Sequence, residues 1–348
     1  MTDSRKRRCV KCLLQEDIEG HILLDENMVC NLCRQSVSKE KMRWEQLKEI
    51  FERKIEENRG KSEYDGVIMM SGGKDSAFLA YTLKKRYNLN VVGIINDIHY
   101  EYKETFNNAK QICDELGISL KYNKLPEDMM KKFFKFLFTT KELKDRGCGQ
   151  ICNYCGRLMI RSAGEYASKN KIPMLFSGHN PEQVFGMGQS YEIDKRRTLQ
   201  KQLLNQMINQ SVEKARKILI SQKKEELLPY FQLELFPKGV EGLFMYQHFP
   251  YEPIKMMDVI SKESNWKPIK KLSDTYIASG CRLAHLWIKV ASLNKTSNYV
   301  DFELSAQVRN GVLSKELVQQ FYDNTYDSTE EINELLKDLS IGSINELL

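Results

Sequence analysis

Short apolar runs alternate with longer amphipathic stretches through the first half of the chain. The runs 67–70, 91–95, 118–122 and 173–176 predict buried strands. The stretches 105–116 and 157–168 have the spacing of helices. Strands that alternate with helices favour a parallel sheet covered by helices on both faces. We therefore predict an α/β fold with both faces of the sheet buried.

The flanking regions have different patterns. Residues 39–60 are charged, with apolar positions at helical spacing, and predict a linking helix that ends at Gly60. After Gly178 the pattern becomes mainly helical, and residues 195–224 are rich in Lys and Arg, which indicates a solvated helix face or an RNA-binding surface. The predicted organisation is a small module over 1–38, the helix over 39–60, the α/β domain over 61–188 and a helical region over 189–348.

Composition excludes several classes of protein. The 348 residues are 41% hydrophobic and 29% charged, which is typical of a globular protein and not of a disordered chain. A net charge of +6, from 53 basic and 47 acidic residues, is weak evidence for nucleic-acid binding. Apolar runs are too short to span a membrane, and the charged N-terminus lacks a signal-peptide core. We expect a cytoplasmic protein without a membrane partner.

Four of the nine cysteines form two closely spaced pairs near the N-terminus, Cys9 with Cys12 and Cys30 with Cys33. Two CxxC units separated by about 17 residues match the spacing of a four-cysteine zinc site. Four thiolates close a tetrahedron and leave no position for a substrate. The pattern predicts a structural zinc module, with free surface thiols as the alternative.

A glycine turn directly follows the first predicted strand and precedes a helix. Gly72 and Gly73 let the main chain approach a ligand, and the helix N-terminus favours an anion. Lys74 adds a positive charge, and Asp75 can hold a metal ion such as Mg²⁺ against phosphate oxygens. Hydroxyl donors come from Ser71 and Ser76. The hexapeptide predicts a phosphate-binding loop.

Residues 71–76, Ser-Gly-Gly-Lys-Asp-Ser, resemble the SGGxDS loop of the PP-loop ATP pyrophosphatases, also called adenine nucleotide alpha hydrolases. The loop does not match the Walker A pattern. The resemblance implies that the loop holds the pyrophosphate of ATP while a substrate oxygen attacks the α phosphorus, giving AMP and pyrophosphate as products. It also places adenine near Asn96 and Asp97.

A second resemblance concerns Cys152-Asn153-Tyr154-Cys155-Gly156-Arg157 and Ser177-Gly178-His179-Asn180, which are similar to segments of the PP-loop tRNA thiolation enzymes. It implies that Cys152, Cys155 and one later cysteine hold a four-iron, four-sulfur cluster that delivers sulfur to an adenylated tRNA. Cys281 is the only later cysteine. The implied partners are tRNA and a sulfur donor. Gly178 and His179 are candidate nucleotide contacts, with local capping as the alternative for His179.

A third resemblance spans most of the chain. The N-terminal CxxC pairs, the loop at 71–76 and the segment 305–316 are similar to the N-acetyl sugar amidotransferases. This resemblance implies ammonia from a glutaminase partner, a sugar substrate and a possible homodimer. The proximity of the CxxC and GHN segments to the chemistry favours sulfur as the incoming atom.

Other interpretations of the later cysteines stay open at this point. Cys152, Cys155 and Cys281 can form a second zinc site with Cys148 as the fourth ligand. Cys152 and Cys155 can instead act as a redox pair that carries persulfide.

A different class of function is an RNA-binding scaffold whose nucleotide domain only senses ATP. The predicted catalytic set is Lys74, Asp75, Cys152, Cys155 and Cys281.

Overall fold

A computed structural model describes residues 7–16, 22–35, 44–143, 149–186, 195–271, 280–323 and 328–348. Five parallel strands form one sheet in the order β3-β2-β1-β4-β5. The strands are β1 (Gly66–Met70), β2 (Val91–Asp97), β3 (Ser119–Lys124), β4 (Met174–Ser177) and β5 (Glu241–Phe244). This arrangement confirms the predicted α/β fold.

Helices connect and follow the strands. Those before β4 are α1 (Asn31–Gln35), α2 (Trp44–Asn58), α3 (Lys74–Lys85), α4 (Lys103–Leu116), α5 (Glu127–Thr139) and α6 (Gly149–Lys169). Those after β4 are α7 (Pro181–Gly186), α8 (Lys195–Ser221), α9 (Pro253–Glu263), α10 (Leu283–Leu293), α11 (Tyr299–Arg309), α12 (Lys315–Asp323) and α13 (Thr329–Asp338). Within the described residues, every helix falls short of the length or apolar character that a membrane span requires.

The chain divides into two compact units. One comprises Met1–Met42, Phe134–Cys152 and Lys270–Leu348, and the other comprises Arg43–Phe133 and Asn153–Ile269. The second unit holds all five strands, so we call it the sheet unit. The first holds the N-terminal cysteines and helices α10 to α13, and we call it the cysteine unit.

The core of the sheet unit lies against the central strands. Every residue of β1 and β4 is buried, and so are the first six residues of β2. Val67, Val92 and Leu175 pack with Ile160 and Ala163 of α6. Edge strand β3 departs from the prediction of two buried faces, because most of its residues are exposed and Tyr122 keeps 55% of its surface accessible.

Strand β5 was missed by the sequence pattern, which predicted a mainly helical region after residue 188. Its four residues pair with β4 from Met174 to Ser177 and extend the sheet to Phe244. The segment has only two fully buried positions and contains a glycine. It therefore shows neither a long run of apolar residues nor an alternation of apolar and polar residues, the two patterns that predict a strand. A helix spans Trp44–Asn58 within the predicted linking segment, while residues 39–43 lie outside the described residues. Its role as a link between domains stays a prediction.

The cysteine unit joins the two ends of the chain. Leu13 packs in an apolar cluster with Leu304 of α11 and with Val318 and Phe321 of α12. The Arg8 guanidinium lies 3.6 Å from the centre of the Tyr322 ring. Because these contacts link residues near position 10 to residues beyond 300, the N-terminal segment is part of a larger packed body.

Candidate functional site

The glycine turn lies at the carboxyl end of β1, where the strand order reverses. Strand β1 pairs with β2 on one side and β4 on the other. Ligands of open parallel sheets bind at such a switch point, outside the carboxyl ends of the strands. Gly73 is the N-cap of α3, so the first backbone N–H groups of that helix line the crevice.

The two glycines of the turn have different structural roles. Gly72 has φ +64°, and a Cβ there would lie 2.0 Å from the backbone oxygen of Thr105. Gly73 has φ −78°, which other residues adopt, and a Cβ there would meet only Ser71 Oγ at 3.6 Å. The fold therefore requires glycine at 72, whereas at 73 it leaves open space beside a helix N-terminus. Phosphate groups bind at helix N-termini of this kind.

The two serines of the loop bond to each other and to the loop backbone. Ser76 Oγ accepts a hydrogen bond from the Ser71 backbone N–H at 3.1 Å and donates to the Gly73 carbonyl at 3.2 Å. The Ser71 and Ser76 hydroxyls lie 3.1 Å apart. Ser76 is 3% exposed, so its hydroxyl holds the shape of the turn.

Asp75 is held by residues from a distant part of the sequence. Lys74 Nζ lies 3.1 Å from Asp75 Oδ2, and the Tyr251 hydroxyl donates to Asp75 Oδ1 at 3.1 Å. The Tyr246 hydroxyl donates to the Asp75 backbone oxygen, also at 3.1 Å. Burial raises the pKa of Tyr246 well above its ordinary value, so this hydroxyl keeps its proton. The carboxylate is thus oriented at the start of α3, a suitable place for a divalent cation beside phosphate.

Tyr246 and Tyr251 were missed as site residues because they belong to an aromatic segment typical of packing. Nothing in their spacing relates them to a loop about 170 positions earlier. Their ring centroids lie 5.1 Å apart in an edge-to-face pair.

The loop after β4 closes against the same turn. A Cβ on Gly178 would lie 2.7 Å from the Asp75 backbone oxygen, so glycine allows the two loops to touch. His179 Nδ1 lies 2.6 Å from Ser177 Oγ, and burial lowers the pKa of His179 to about 4. The imidazole is therefore neutral at physiological pH. Its contact with nucleotide stays a prediction.

At the end of β2, where adenine was predicted to bind, the side chains of Asn96 and Asp97 form hydrogen bonds with neighbouring protein groups. Asn96 Nδ2 donates to the Met159 carbonyl at 3.0 Å, and Asn96 Oδ1 accepts from Asn123 at 2.7 Å. Asp97 Oδ1 accepts the backbone N–H of His99 at 2.8 Å. These bonds shape the end of the strand, and adenine binding there stays a prediction.

The four N-terminal cysteines converge in the cysteine unit. Among the described residues, Cys9, Cys12, Cys30 and Cys33 form a group of sulfur atoms that all lie within 4.8 Å of one another. Sγ of Cys9 lies 3.8 Å from that of Cys33, and Sγ of Cys12 lies 3.7 Å from that of Cys30. Thiolates bound tetrahedrally to one zinc ion at about 2.3 Å are separated by about 3.8 Å. The donor set and its spacing therefore fit zinc.

The surroundings favour the thiolate at Cys9, whereas burial raises the pKa of Cys12 to about 11 and also raises that of Cys33. Burial opposes ionisation of Cys9, but hydrogen bonds from backbone N–H groups, including those of Cys30 and Lys11, lower its pKa to about 7. The guanidinium of Arg309, from α11, donates to Cys12 Sγ at 3.4 Å. The sequence motif did not predict this cation, since it lies 297 positions away.

The later cysteines fall on two elements. Cys152 and Cys155 lie one turn apart on α6, so both project from the same side of the helix. Cys281 lies two residues before the start of α10, and Cys148 lies outside the described residues. Cys152 and Cys281 belong to the cysteine unit and Cys155 to the sheet unit. A cluster on these three thiols stays a prediction.

Part of the chain, including the glycine turn, is similar to a known protein family. The NAD synthase family model matches residues 43–192, which contain the glycine turn, α6 and the loop after β4. The chain carries a PP-loop domain.

One curated relative matches part of the chain. It is the tRNA-5-methyluridine(54) 2-sulfurtransferase of Pyrococcus horikoshii, 29% identical over 148 residues. The match covers 39% of this chain and 43% of the relative, so less than half of that protein is represented here.

Two solved structures are also similar to the chain. The NH3-dependent NAD synthetase of Campylobacter jejuni is 17% identical, with a TM-score of 0.32, over 55% of this chain and 92% of that one. The U34-tRNA thiolase of Methanococcus maripaludis, solved with its four-iron, four-sulfur cluster, is 16% identical, with a TM-score of 0.36. That match covers 97% of this chain and 89% of the thiolase.

Proposed function

We propose that this protein is an ATP-dependent tRNA sulfurtransferase, which adenylates a carbonyl oxygen of a tRNA base and replaces that oxygen with sulfur. The observation that carries the proposal is the match of part of this chain to a tRNA 2-sulfurtransferase. The pair Cys152 and Cys155, one helical turn apart on α6, supports sulfur chemistry.

Each residue of the PP-loop has a physical role in the first half-reaction. The N–H groups at the start of α3 and the Lys74 ammonium bind the pyrophosphate part of ATP. Asp75, oriented by Tyr251, holds Mg²⁺ against the phosphate oxygens. The base oxygen attacks the α phosphorus, the bond from that phosphorus to pyrophosphate breaks, and the base becomes an adenylate. Neutral His179 adds no positive charge near the loop.

The two cysteine groups have different roles. Cys9, Cys12, Cys30 and Cys33 hold a structural zinc ion, since four thiolates leave no open position. Cys152, Cys155 and Cys281 would hold a four-iron, four-sulfur cluster with one iron free of protein ligands. Such a cluster supplies sulfur to the activated carbon, from which AMP departs with the original oxygen.

Nitrogen is the second candidate for the incoming atom, because the matching family model is that of the NAD synthases. In this alternative ammonia attacks the carbon that bears the adenylated oxygen of an N-acetyl sugar, the bond from that carbon to oxygen breaks, and AMP departs with the oxygen. The later cysteines then hold no cluster. The two candidates share the first half-reaction and differ in the second.

The test uses protein purified anaerobically and incubated with Mg·ATP, unfractionated tRNA and inorganic sulfide. Thiolated nucleosides are measured by mass spectrometry, and iron and acid-labile sulfide are measured on the same protein. We expect thiolation by the wild type and none by Lys74→Ala, Cys152→Ala or Cys281→Ala. Cys113→Ala is the matched control, because Cys113 is fully buried in α4 and burial raises its pKa to about 12.

The proposal fails if anaerobic protein contains zinc but no iron and leaves tRNA unthiolated. ATP hydrolysis that depends on ammonia and an N-acetyl sugar would then support the nitrogen reaction. A scaffold that only senses ATP would keep RNA binding in the Lys74→Ala variant and show no turnover in the wild type.

A further inference from the structure

Two buried side chains from outside the loop converge on one backbone oxygen of the phosphate-binding turn. Trp266 Nε1 donates to the Gly72 carbonyl at 2.9 Å, and Asn108 Nδ2 donates to the same oxygen at 3.2 Å. Trp266 is 5% exposed and Asn108 is 9% exposed. A carbonyl oxygen has two lone pairs, so these two donors fill its capacity.

The direction of that carbonyl determines the direction of the next N–H group. In a planar trans peptide the C=O bond of one residue and the N–H bond of the next point in opposite directions. Because the Gly72 oxygen faces Trp266 and Asn108, the Gly73 N–H faces away from them. Gly73 is the N-cap of α3, beside the space that a Cβ would fill.

This peptide needs external support because it joins two glycines. Glycine reaches both positive and negative φ at little cost, so the Gly72–Gly73 peptide has more than one accessible orientation. The observed orientation has φ +64° at Gly72. Two hydrogen bonds to the Gly72 carbonyl stabilise this orientation of the peptide. In the opposite orientation the carbonyl oxygen would face the anion and repel it.

The segment that carries Trp266 is itself fastened to α4. Asn265 Nδ2 donates to Glu115 at 2.7 Å, and Asn108 donates to the Lys267 carbonyl at 2.7 Å in addition to its bond with Gly72. Both donors to the Gly72 oxygen therefore belong to one connected network within the sheet unit.

We propose that Trp266 and Asn108 are positioning residues of the phosphate-binding loop, which hold the Gly72–Gly73 peptide with its N–H directed at the bound anion. The identity of that anion as the pyrophosphate part of ATP rests on the proposed function. Neither residue touches the anion, and both act through the peptide orientation.

The orientation is measured first in the ligand-free protein, by nuclear magnetic resonance with ¹⁵N-labelled glycine. The Gly73 cross-peak is assigned by its absence in Gly73→Ala. We expect Trp266→Phe and Asn108→Leu each to move or broaden the Gly73 cross-peak, while the Gly117 and Gly60 cross-peaks keep their positions. An unchanged Gly73 cross-peak in both variants overturns the proposal, whatever the protein binds.

Affinity is measured next, by calorimetric titration with inorganic pyrophosphate and Mg²⁺. Loss of one such hydrogen bond predicts an affinity about five- to tenfold weaker in each variant. Trp287→Phe is the matched control, because Trp287 is a similarly buried tryptophan in α10 and its loss should leave the affinity unchanged. Equal weakening in Trp287→Phe, or none in Trp266→Phe and Asn108→Leu, overturns the proposal.

The same titration separates this inference from the proposed function. If the wild type binds no pyrophosphate, the ATP-dependent function fails, and the glycine spectra still decide whether the two side chains orient the peptide. If the wild type binds and the variants bind equally well, the positioning role fails and the proposed function stands.

Discussion

The four-cysteine site and the phosphate-binding turn are both short motifs, and both depend on residues far away in the sequence. In the cysteine site the distant residue is Arg309, whose cation faces a sulfur side chain. At the turn the distant residues are Trp266, Tyr246 and Tyr251. Trp266 and Tyr246 donate hydrogen bonds to backbone oxygens of the turn. A metal site obtains most of its stability from the metal, whereas a phosphate loop must be oriented before its ligand arrives. The first region should therefore depend on its ion and the second on its packing.

Removal of the proposed zinc ion should separate the two regions most strongly. Binding of a structural zinc ion is worth about 10 kcal/mol or more, so if the four cysteines hold zinc, chelation or Cys30→Ser should unfold residues 7–16 and 22–35 and loosen their contacts with α11 and α12. We expect amide exchange in those segments to rise about 100-fold or more, with β1 and β2 unaffected. Hydrogen exchange followed by mass spectrometry measures the exchange rates in these segments and in the two strands. Unchanged exchange in α11 would contradict the packing seen here.

Substitution of the two glycines separates folding from binding within the turn. Gly72→Ala places a Cβ against the Thr105 carbonyl at positive φ and should cost about 3 kcal/mol of unfolding free energy. Gly73→Ala should change stability by less than about 1 kcal/mol but weaken pyrophosphate binding more than about tenfold, because its Cβ fills the anion space. Urea unfolding and calorimetry report the two effects. Equal behaviour of the two variants would refute this distinction.

Acid should weaken the sheet unit through His179. Its folded pKa is about 4, below the ordinary 6.5, so between these values the unfolded chain binds a proton that the native chain does not. Stability is therefore highest above pH 6.5 and falls by about 2 kcal/mol as the pH drops toward 4. Urea unfolding at pH 7 and pH 4.5 measures the loss. His179→Gln should lack this part of the pH dependence, and an identical slope in both proteins would argue against it.

Arg309 tests how far the cysteine site depends on its distant cation. Replacing a residue that contacts a metal ligand commonly lowers metal affinity by about 10- to 100-fold. We expect Arg309→Met to lower zinc affinity about tenfold in a chelator competition, while Arg309→Lys keeps most of it by retaining the charge. Wild-type affinity in Arg309→Met would mean that the contact with Cys12 is only packing.

The smallest effect concerns the two tyrosines at Asp75. Tyr251→Phe removes a bond to the carboxylate, so the Mg²⁺ concentration needed for tight ATP binding should rise about fivefold. Tyr246→Phe removes a bond to the backbone oxygen and should lower thermal stability without changing the Mg²⁺ requirement. Calorimetry with ATP, with and without Mg²⁺, makes the comparison. A shift in both variants, or in neither, would contradict separate roles.

The sequence pattern located four of the five strands described. Strands β1, β2 and β4 consist mainly of buried residues and β3 is mostly exposed, yet all four were predicted within three residues of their observed ends. Strand β5 has two buried residues and exists because β4 offers it a paired edge. A strand of that kind is stabilised by its neighbour, which no local pattern records.

The local sequence determined the chemistry available to this protein. Two CxxC pairs supply four sulfur atoms, and Gly72, Gly73 and Lys74 after a buried strand predict an anion site, because side-chain type and turn geometry are properties of adjacent residues. Tertiary packing determined how those groups are held. Trp266, Tyr251 and Arg309 reach their partners only because the tertiary fold brings positions 176 to 297 residues apart within hydrogen-bond distance. The residues around each of them in the sequence show no functional motif. Each therefore gains its role only from its position beside a specific polar atom in the folded protein.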